Sequence, residues 1–171
     1  MNNLTNQKIR ILWIEDGTRV EIPQLAVPLY MKREYYLVIT DNLTDAERKI
    51  SEQSFEIVIF DLRLPPGTDE RFRELSKTLM KEKKAQRLGL YLLLSYFGSS
   101  RVASDLKVTK PDWLTMDRVA ILSVDPFIEP EVREALRSIN FPEGRYKQKT
   151  AGMKRTSLLE LVRQVLEHIE Q

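Results

Sequence analysis

Three short, almost continuous apolar runs, each followed at once by an acidic residue, constrain the fold of this chain more than any other feature. They are Ile9–Ile14, Tyr35–Thr40 and Phe55–Phe60. A run this short that is apolar at consecutive positions is typical of a strand covered on both faces in a parallel sheet. Parallel strands need long crossover connections, so the segments between the runs are expected to be helices.

The segments between the runs carry helical patterns. Leu43, Ala46 and Ile50 lie at helical spacing between the second run and the third. Thr18–Glu34 indicates a connecting helix, which must be irregular because Pro28 would bend it. The first half of the chain therefore predicts consecutive strand-helix-strand units.

The second half continues this alternation. Asp69–Lys83 has an apolar helical face, Leu88–Leu94 is predicted as the fourth strand, and Ser157–Glu170 is predicted as a closing amphipathic helix. Crossovers of this kind build a doubly wound α/β domain of three layers, whose ligands bind outside the carboxyl ends of the strands. We expect a single domain over residues 1–171, with a five-stranded parallel sheet.

The composition narrows the chemistry that this chain can perform. It has no cysteine and one histidine, which excludes disulfides and zinc sites built on thiolates. A net charge of +2 is too small for a dense nucleic-acid footprint, and the apolar run near the amino end is too short to span a membrane. We therefore expect a cytoplasmic protein without direct nucleic-acid binding or membrane insertion.

Three carboxylates follow the predicted strands at their carboxyl ends. Glu15 and Asp16 come directly after the first strand, and Asp61 directly after the third. Two carboxylates about 4 Å apart repel by roughly 4 kcal/mol at an effective dielectric constant near 20, so three together need a cation, a shared proton or a lysine. Each acid alone would more often cap a helix or face solvent, but their convergence predicts a site for Mg²⁺, which prefers oxygen ligands.

Four stretches of the chain resemble a known family. IRILWIEDG, IVIFDLRLPPG, LYLLLSYF and RYKQKT are similar, in this order and over nearly the whole chain, to the motifs of response-regulator receiver domains, which have the CheY-like, flavodoxin-like fold. The resemblance implies metal ligands, a phosphoacceptor, a hydroxyl group ending the fourth strand and a lysine ending the fifth. These residues are Glu15, Asp16, Asp61 and the backbone carbonyl of Arg63 for Mg²⁺, Asp61 for the phosphoryl group, Ser95 for the hydroxyl group and Lys149 for the cation.

The resemblance also implies a mechanism and partners. Asp61 would attack phosphorus in line, while Mg²⁺, Ser95 and Lys149 stabilise the charge. Ser95 would then move toward the phosphoryl group and Tyr146 would follow it inward, which changes the surface offered to a partner. The expected partners are a sensor histidine kinase or phosphotransfer protein and a downstream protein, and a homodimer stays open. No turnover of an external substrate is expected, so the chain would not be an enzyme in that sense.

The segment between the predicted fourth strand and Lys149 is longer than a single helix with its two loops requires. We therefore expect an insertion at about residues 98–129. Val119–Val124 would be an extra strand in it, and the fifth strand would be residues 145–149. A second register makes Val119–Val124 the fifth strand and places Asp125 where the lysine belongs.

Two other functions stay open beside a phosphoacceptor. Tyr96 follows the predicted hydroxyl position, where the family usually has a small residue, and bulk there can obstruct access to the phosphorylation site. Together with the insertion it favours a pseudo-receiver adaptor, which signals by protein binding without phosphorylation. The stretch from Glu15 to Thr18 superficially resembles the first motif of haloacid-dehalogenase-like phosphatases, but their nucleophilic aspartate would fall at Ile14.

Overall fold

A five-stranded parallel sheet forms the centre of the protein. The computed structural model describes residues 8–17, 21–98 and 105–169. The strands are β1 (Ile9–Ile14), β2 (Tyr35–Thr40), β3 (Ile57–Phe60), β4 (Val119–Ser123) and β5 (Tyr146–Gln148). Their order in the sheet is β2-β1-β3-β4-β5, and every neighbouring pair is parallel. The predicted doubly wound α/β fold is confirmed.

Helices cover both faces of the sheet. They are α1 (Glu21–Tyr30), α2 (Leu43–Glu52), α3 (Glu70–Lys81), α4 (Leu88–Phe97), α5 (Pro130–Ser138) and α6 (Ser157–Ile169), with 3₁₀ turns at Met116–Arg118 and Glu143–Arg145. Buried side chains of α1 and α6 form the core on one face of the sheet, and those of α2 to α5 form it on the other. Among these helices, none has the length and apolar character needed to cross a membrane.

The predicted helices match observed ones, with shifts at their ends. The segment Thr18–Glu34 contains α1, which begins at Glu21, ends at Tyr30 and includes Pro28. Residues 18–20 lie outside the described residues. The closing helix is confirmed as α6, and only its predicted last residue, Glu170, falls beyond the described part of the chain.

The register of the sheet brings the carboxyl ends of four strands to one edge. β1 and β3 end side by side, and the amide of Asp61 donates to the carbonyl of Ile14 at 2.9 Å. β4 and β5 also end together, where the amide of Lys149 donates to the carbonyl of Ser123 at 2.7 Å. The residues that follow these four strands therefore meet, although they are distant in sequence.

The prediction that Leu88–Leu94 is the fourth strand is wrong, because this run forms most of α4. In a continuous apolar run, periodicity alone does not separate a buried helix from a strand. Leucine favours helices, and seven of the ten residues of α4 are buried, so the helix is apolar on all sides. Because apolar residues cover all sides of α4, its sequence has no regular spacing of polar and apolar residues from which a helical period could be recognised.

The fourth strand is β4, which pairs with β3 on one side and with β5 on the other. Val119–Val124 is therefore neither an extra strand nor the fifth strand, and the register that placed Asp125 at the lysine position is wrong. The preferred fifth strand, residues 145–149, is confirmed as β5, with Lys149 directly after it. The strand was hard to predict because β5 is a short, partly exposed edge strand.

The segment predicted as an insertion, about residues 98–129, largely precedes β4. Residues 105–118 lead into this strand, and residues 99–104 lie outside the described residues. The ring of Trp113 meets the ring of Phe55 edge to face, with centroids 6.0 Å apart. This contact anchors the segment to the core.

Gly89, in the first turn of α4, allows the closest approach between this helix and the end of β3. Its amide donates to the carbonyl of Leu62 at 2.9 Å, and a Cβ atom at this position would lie 2.0 Å from the backbone oxygen of Asp61. Gly89→Ala is therefore expected to lower the free energy of unfolding by about 2 kcal/mol or more, because backbone cannot yield to the added methyl group. Gly144→Ala is the control, since apart from its two chain neighbours no residue has an atom within 4 Å of its Cβ position. Equal values for the two variants in urea unfolding would contradict the prediction.

Candidate functional site

Glu15, Asp16 and Asp61 meet at the carboxyl edge of the sheet, as the sequence predicts. One carboxylate oxygen of each lies within 4.8 Å of the others. Glu15 and Asp61 are buried, whereas Asp16 is exposed, so the cluster opens to solvent on one side. Three hard oxygen donors beside an open position suit Mg²⁺, which binds through one or two carboxylates and keeps several waters. The residues present therefore fit the predicted metal. The contribution of the Arg63 carbonyl stays a prediction.

Lys149 places its ammonium group between the two buried carboxylates. Its Nζ lies 2.7 Å from Oδ2 of Asp61 and forms a second ion pair with Glu15. Burial lowers the pKa of Lys149, but the charges of Asp61 and Glu15 outweigh burial and leave this pKa raised. The lysine therefore remains charged and supplies the cation that the cluster needs. In the sequence analysis, the resemblance to receiver domains implied this residue as the lysine that ends the fifth strand.

Ser123 is the hydroxyl residue at the end of the fourth strand. Its side chain is fully buried, and its Oγ donates to Oδ1 of Asp61 at 2.6 Å while accepting from the amide of Leu62 at 3.3 Å. Ser95, which the sequence analysis placed here, lies within α4 and donates to the carbonyl of Tyr91 at 2.7 Å. Ser123 could have been found from the sequence, since it too ends a short apolar run, Val119–Ser123.

Because the hydroxyl residue at the end of the fourth strand is Ser123 and not Ser95, the residue that follows it also differs from the predicted one. Tyr96 is buried in α4, where burial raises the pKa of its phenol, and it does not follow the fourth strand. The residue after Ser123 is Val124, whose surface is half exposed. The predicted obstruction by a tyrosine therefore does not apply at this place.

A chain of ion pairs centred on the buried carboxylate of Asp125 adjoins the acidic cluster. Asp125, two residues beyond Ser123, accepts two hydrogen bonds from the Arg63 guanidinium, both at 2.9 Å, and one from Arg87 at 3.1 Å. Burial raises the pKa of Asp125, but the hydrogen bonds from both arginines reverse this and leave it lowered. Asp125 is thus a carboxylate held ionised between two guanidinium groups. Sequence reasoning gave Arg87 no role, because nothing in its local pattern points to Asp125.

Tyr146, in β5, is attached to the loop that follows β4. Its hydroxyl donates to the backbone carbonyl of Asp125 at 2.6 Å, and its ring packs edge to face against Phe127 with centroids 5.3 Å apart. Burial raises the pKa of the Tyr146 phenol, so it stays protonated and can donate. The predicted switch residue therefore contacts the loop that follows Ser123 and contains Asp125.

The surroundings of Glu15 disfavour the ionised form of its carboxyl group. Burial, and then the charge of Asp61, raise its pKa to about 7, against the opposing effects of Lys149 and of the Gly17 amide, which donates to Glu15 Oε1 at 2.8 Å. Asp16 is affected in the same direction, because partial burial and the charge of Asp61 raise its pKa. The cluster thus holds more negative charge than one lysine balances.

The raised pKa of Glu15 predicts how stability depends on pH in metal-free protein. Between about pH 4.5 and pH 7 the unfolded chain ionises Glu15 while the folded protein keeps it protonated, so the folded state binds more protons and loses stability as pH rises. Glu15→Gln removes this loss. The stability difference between the variant and the wild type is expected to grow by on the order of 2 to 3 kcal/mol across that window. Urea unfolding in chelator measures it.

The control for this prediction is Glu167→Gln, on the exposed surface of α6. This variant shows how the free energy of unfolding changes with pH when a carboxyl group on the exposed surface is replaced. A stability difference for Glu15→Gln that stays constant from about pH 5 to about pH 8 would contradict the prediction.

Comparison with known proteins gives solved structures as its only matches. No protein-family model and no curated protein matches the chain. The BeF₃-activated N-terminal receiver domain of Klebsiella pneumoniae RstA shares 18% identity, with a TM-score of 0.52 over 95% of this chain and 99% of that one. A CheY-like response regulator receiver domain protein from Methanospirillum hungatei JF-1 shares 16% identity, with a TM-score of 0.52 over 96% and 98%.

A third solved structure is similar to the same extent. The signal receiver domain of an HD domain-containing protein from Pseudomonas fluorescens Pf-5 shares 18% identity, with a TM-score of 0.52 over 96% of this chain and 98% of that one. All three cover nearly the whole chain and have one architecture in common. Together with the strand order and the acidic edge of the sheet, they establish that this chain has the fold of CheY-like response-regulator receiver domains.

Proposed function

We propose that this chain is a receiver that accepts a phosphoryl group on Asp61, with Mg²⁺ held by Glu15, Asp16 and Asp61. The observation that carries the proposal is the environment of the Asp61 carboxylate. One of its oxygens accepts from Ser123 and the other contacts Lys149, while two further carboxylates lie beside it. The carboxylate proposed as nucleophile, a cation, a hydroxyl donor and two further carboxylates suited to Mg²⁺ thus lie together at the open edge of the sheet.

This arrangement suits phosphoryl transfer, in which the protein mainly positions the reactants and balances charge. A lone pair on an Asp61 oxygen forms the new O–P bond. The bond from phosphorus to the donor breaks, and the leaving group keeps its electron pair and takes up a proton. Lys149 and the Ser123 hydroxyl face the oxygens on which negative charge develops. Bound Mg²⁺ would neutralise charge on the phosphoryl oxygens.

The signalling role belongs to the same proposal. Phosphorylation adds charge beside Ser123, and the loop that follows this residue binds the hydroxyl of Tyr146 through the carbonyl of Asp125. A shift of that loop changes the surface formed by β5 and α5, which a downstream protein would bind. The phosphoryl donor would be a sensor histidine kinase or a phosphotransfer protein, in the cytoplasm.

Intact-mass analysis after incubation with Mg²⁺ and acetyl phosphate tests the proposal. The wild type is expected to gain the mass of one phosphoryl group, and chelation of Mg²⁺ is expected to abolish the gain. Asp61→Asn is the matched control, because it keeps the shape of the side chain but removes the nucleophile. No added mass on the wild type, or equal labelling of Asp61→Asn, would overturn the assignment of Asp61.

The alternative is an adaptor that signals by protein binding without phosphorylation. One observation that favoured it does not hold, because Tyr96 lies in α4 and the half-exposed Val124 follows the hydroxyl residue. The acidic cluster with its lysine favours the phosphoacceptor instead. The adaptor would gain support if the wild type stayed unlabelled in the mass experiment while the chain still bound a partner protein.

A further inference from the structure

The ion pairs of Arg63, Asp125 and Arg87 differ in how firmly each arginine is held. The Arg87 side chain is 7% exposed and pairs with Glu131 at 2.5 Å and with Glu129 at 3.5 Å, in addition to Asp125. The Arg63 side chain is 45% exposed, and its only ion-pair partner in the described part of the chain is Asp125. Arg87 therefore fixes Asp125 in place, whereas Arg63 is the member that can leave.

Arg63 also lies beside the phosphoacceptor. It is two residues beyond Asp61, and its amide donates to Oδ1 of Asp61 at 3.1 Å. The hydrogen bonds to Asp125 raise the pKa of Arg63 most, and the charge of Asp61 raises it further. The guanidinium group thus sits in the electrostatic field of the residue that would be modified.

A phosphoryl group on Asp61 competes with Asp125 for this guanidinium. A phosphorylated side chain carries about 1.5 to 2 negative charges with three acceptor oxygens, whereas Asp125 carries one charge. Guanidinium groups bind phosphate oxygens through paired, charge-assisted hydrogen bonds. Loss of Arg63 leaves Asp125 still paired with Arg87, so the exchange does not strand a buried charge.

We propose that Arg63 is a further phosphoryl-binding residue, which exchanges Asp125 for the phosphoryl oxygens when Asp61 is modified. The inference rests on the proposed function of Asp61. The exchange breaks the side-chain link between the loop after β3 and the loop after β4. The loop that loses its contact with Arg63 is the one whose Asp125 carbonyl binds the hydroxyl of the switch tyrosine, Tyr146.

Binding of beryllofluoride, an analogue of the phosphoryl group, tests the exchange in the full chain with saturating Mg²⁺. Arg63→Gln is expected to weaken binding about tenfold, because one charge-assisted contact is lost. Asp125→Asn is expected to tighten it about threefold, since the competitor for Arg63 loses its charge. The double variant is expected to bind like Arg63→Gln alone, and Arg63→Lys to bind between Arg63→Gln and the wild type.

The two single variants are expected to change beryllofluoride affinity in opposite directions. This difference distinguishes competition for Arg63 from a purely structural link between the two loops. If Arg63 and Asp125 only tied two loops together, both single variants would shift the affinity in the same direction, and that result would overturn the inference. Unchanged affinity in Arg63→Gln would also overturn it. Arg63 is half exposed, so its variants test the inference even if Asp125→Asn unfolds. A wild type that neither binds beryllofluoride nor gains a phosphoryl group contradicts the proposed function as well, whereas a labelled wild type with an unaffected Arg63→Gln contradicts this inference alone.

Discussion

Lys149→Met is expected to slow phosphoryl uptake on Asp61 by about a hundredfold to a thousandfold, the usual cost of removing one preorganised group that stabilises the transition state. The ammonium group of Lys149 contacts both Asp61 and Glu15, and methionine keeps most of the apolar stem while removing the charge. The rate of mass gain with acetyl phosphate and saturating Mg²⁺ measures the effect.

Lys147→Met is the matched control for this experiment. Lys147 lies two residues earlier, in β5, and pairs at 3.3 Å with Glu160 on α6, away from the acidic cluster. Lys147→Met removes the same charge from a position only two residues away in the chain. If the two variants slowed phosphoryl uptake equally, the effect would come from net charge and not from the position of Lys149.

Ser123→Ala is expected to slow the same reaction by about a hundredfold, and Ser95→Ala to leave it nearly unchanged. The Ser123 hydroxyl is fully buried and contacts Asp61 at 2.6 Å, whereas the Ser95 hydroxyl bonds to the backbone of its own helix. Labelling rates of the two variants, measured side by side, give the comparison. Slow labelling of Ser95→Ala with normal labelling of Ser123→Ala would reverse the assignment made from the structure.

The acidic cluster could be predicted because each of its residues lies directly after a predicted strand. Glu15, Asp16 and Asp61 come after strongly apolar runs, and parallel strands bring such residues to one edge whatever separates them in sequence. Lys149 was identified by resemblance to the family, since its own strand is short and poorly hydrophobic.

The fourth strand could not be chosen correctly from its local pattern. Leu88–Leu94 and Val119–Val124 are both continuous apolar runs, and both end near a serine. The observed helix and strand differ in the kind of apolar residue: the first is rich in leucine, which favours helices, and the second includes β-branched valine and isoleucine, which favour strands. Side-chain shape, weighed above the count of apolar residues, would have favoured Ser123 over Ser95.

The ion pairs around Asp125 lay beyond sequence reasoning for another reason. Arg63 and Asp125 are 62 residues apart, and Arg87 and Asp125 are 38 apart. Each of these charged residues has an ordinary local setting, so only the fold brings them together. The burial of Arg87 and Asp125 cannot be predicted from a local pattern, because isolated arginine and aspartate are usually exposed.

The spread of the site along the chain has a consequence for protein synthesis. Its residues follow β1, β3, β4 and β5, and Lys149 is the last of them to leave the ribosome. Until that strand joins the sheet, Glu15 and Asp61 have no ammonium group between them. A growing chain that has already paired its first four strands must therefore keep a proton on the cluster or bind a divalent cation in place of the lysine.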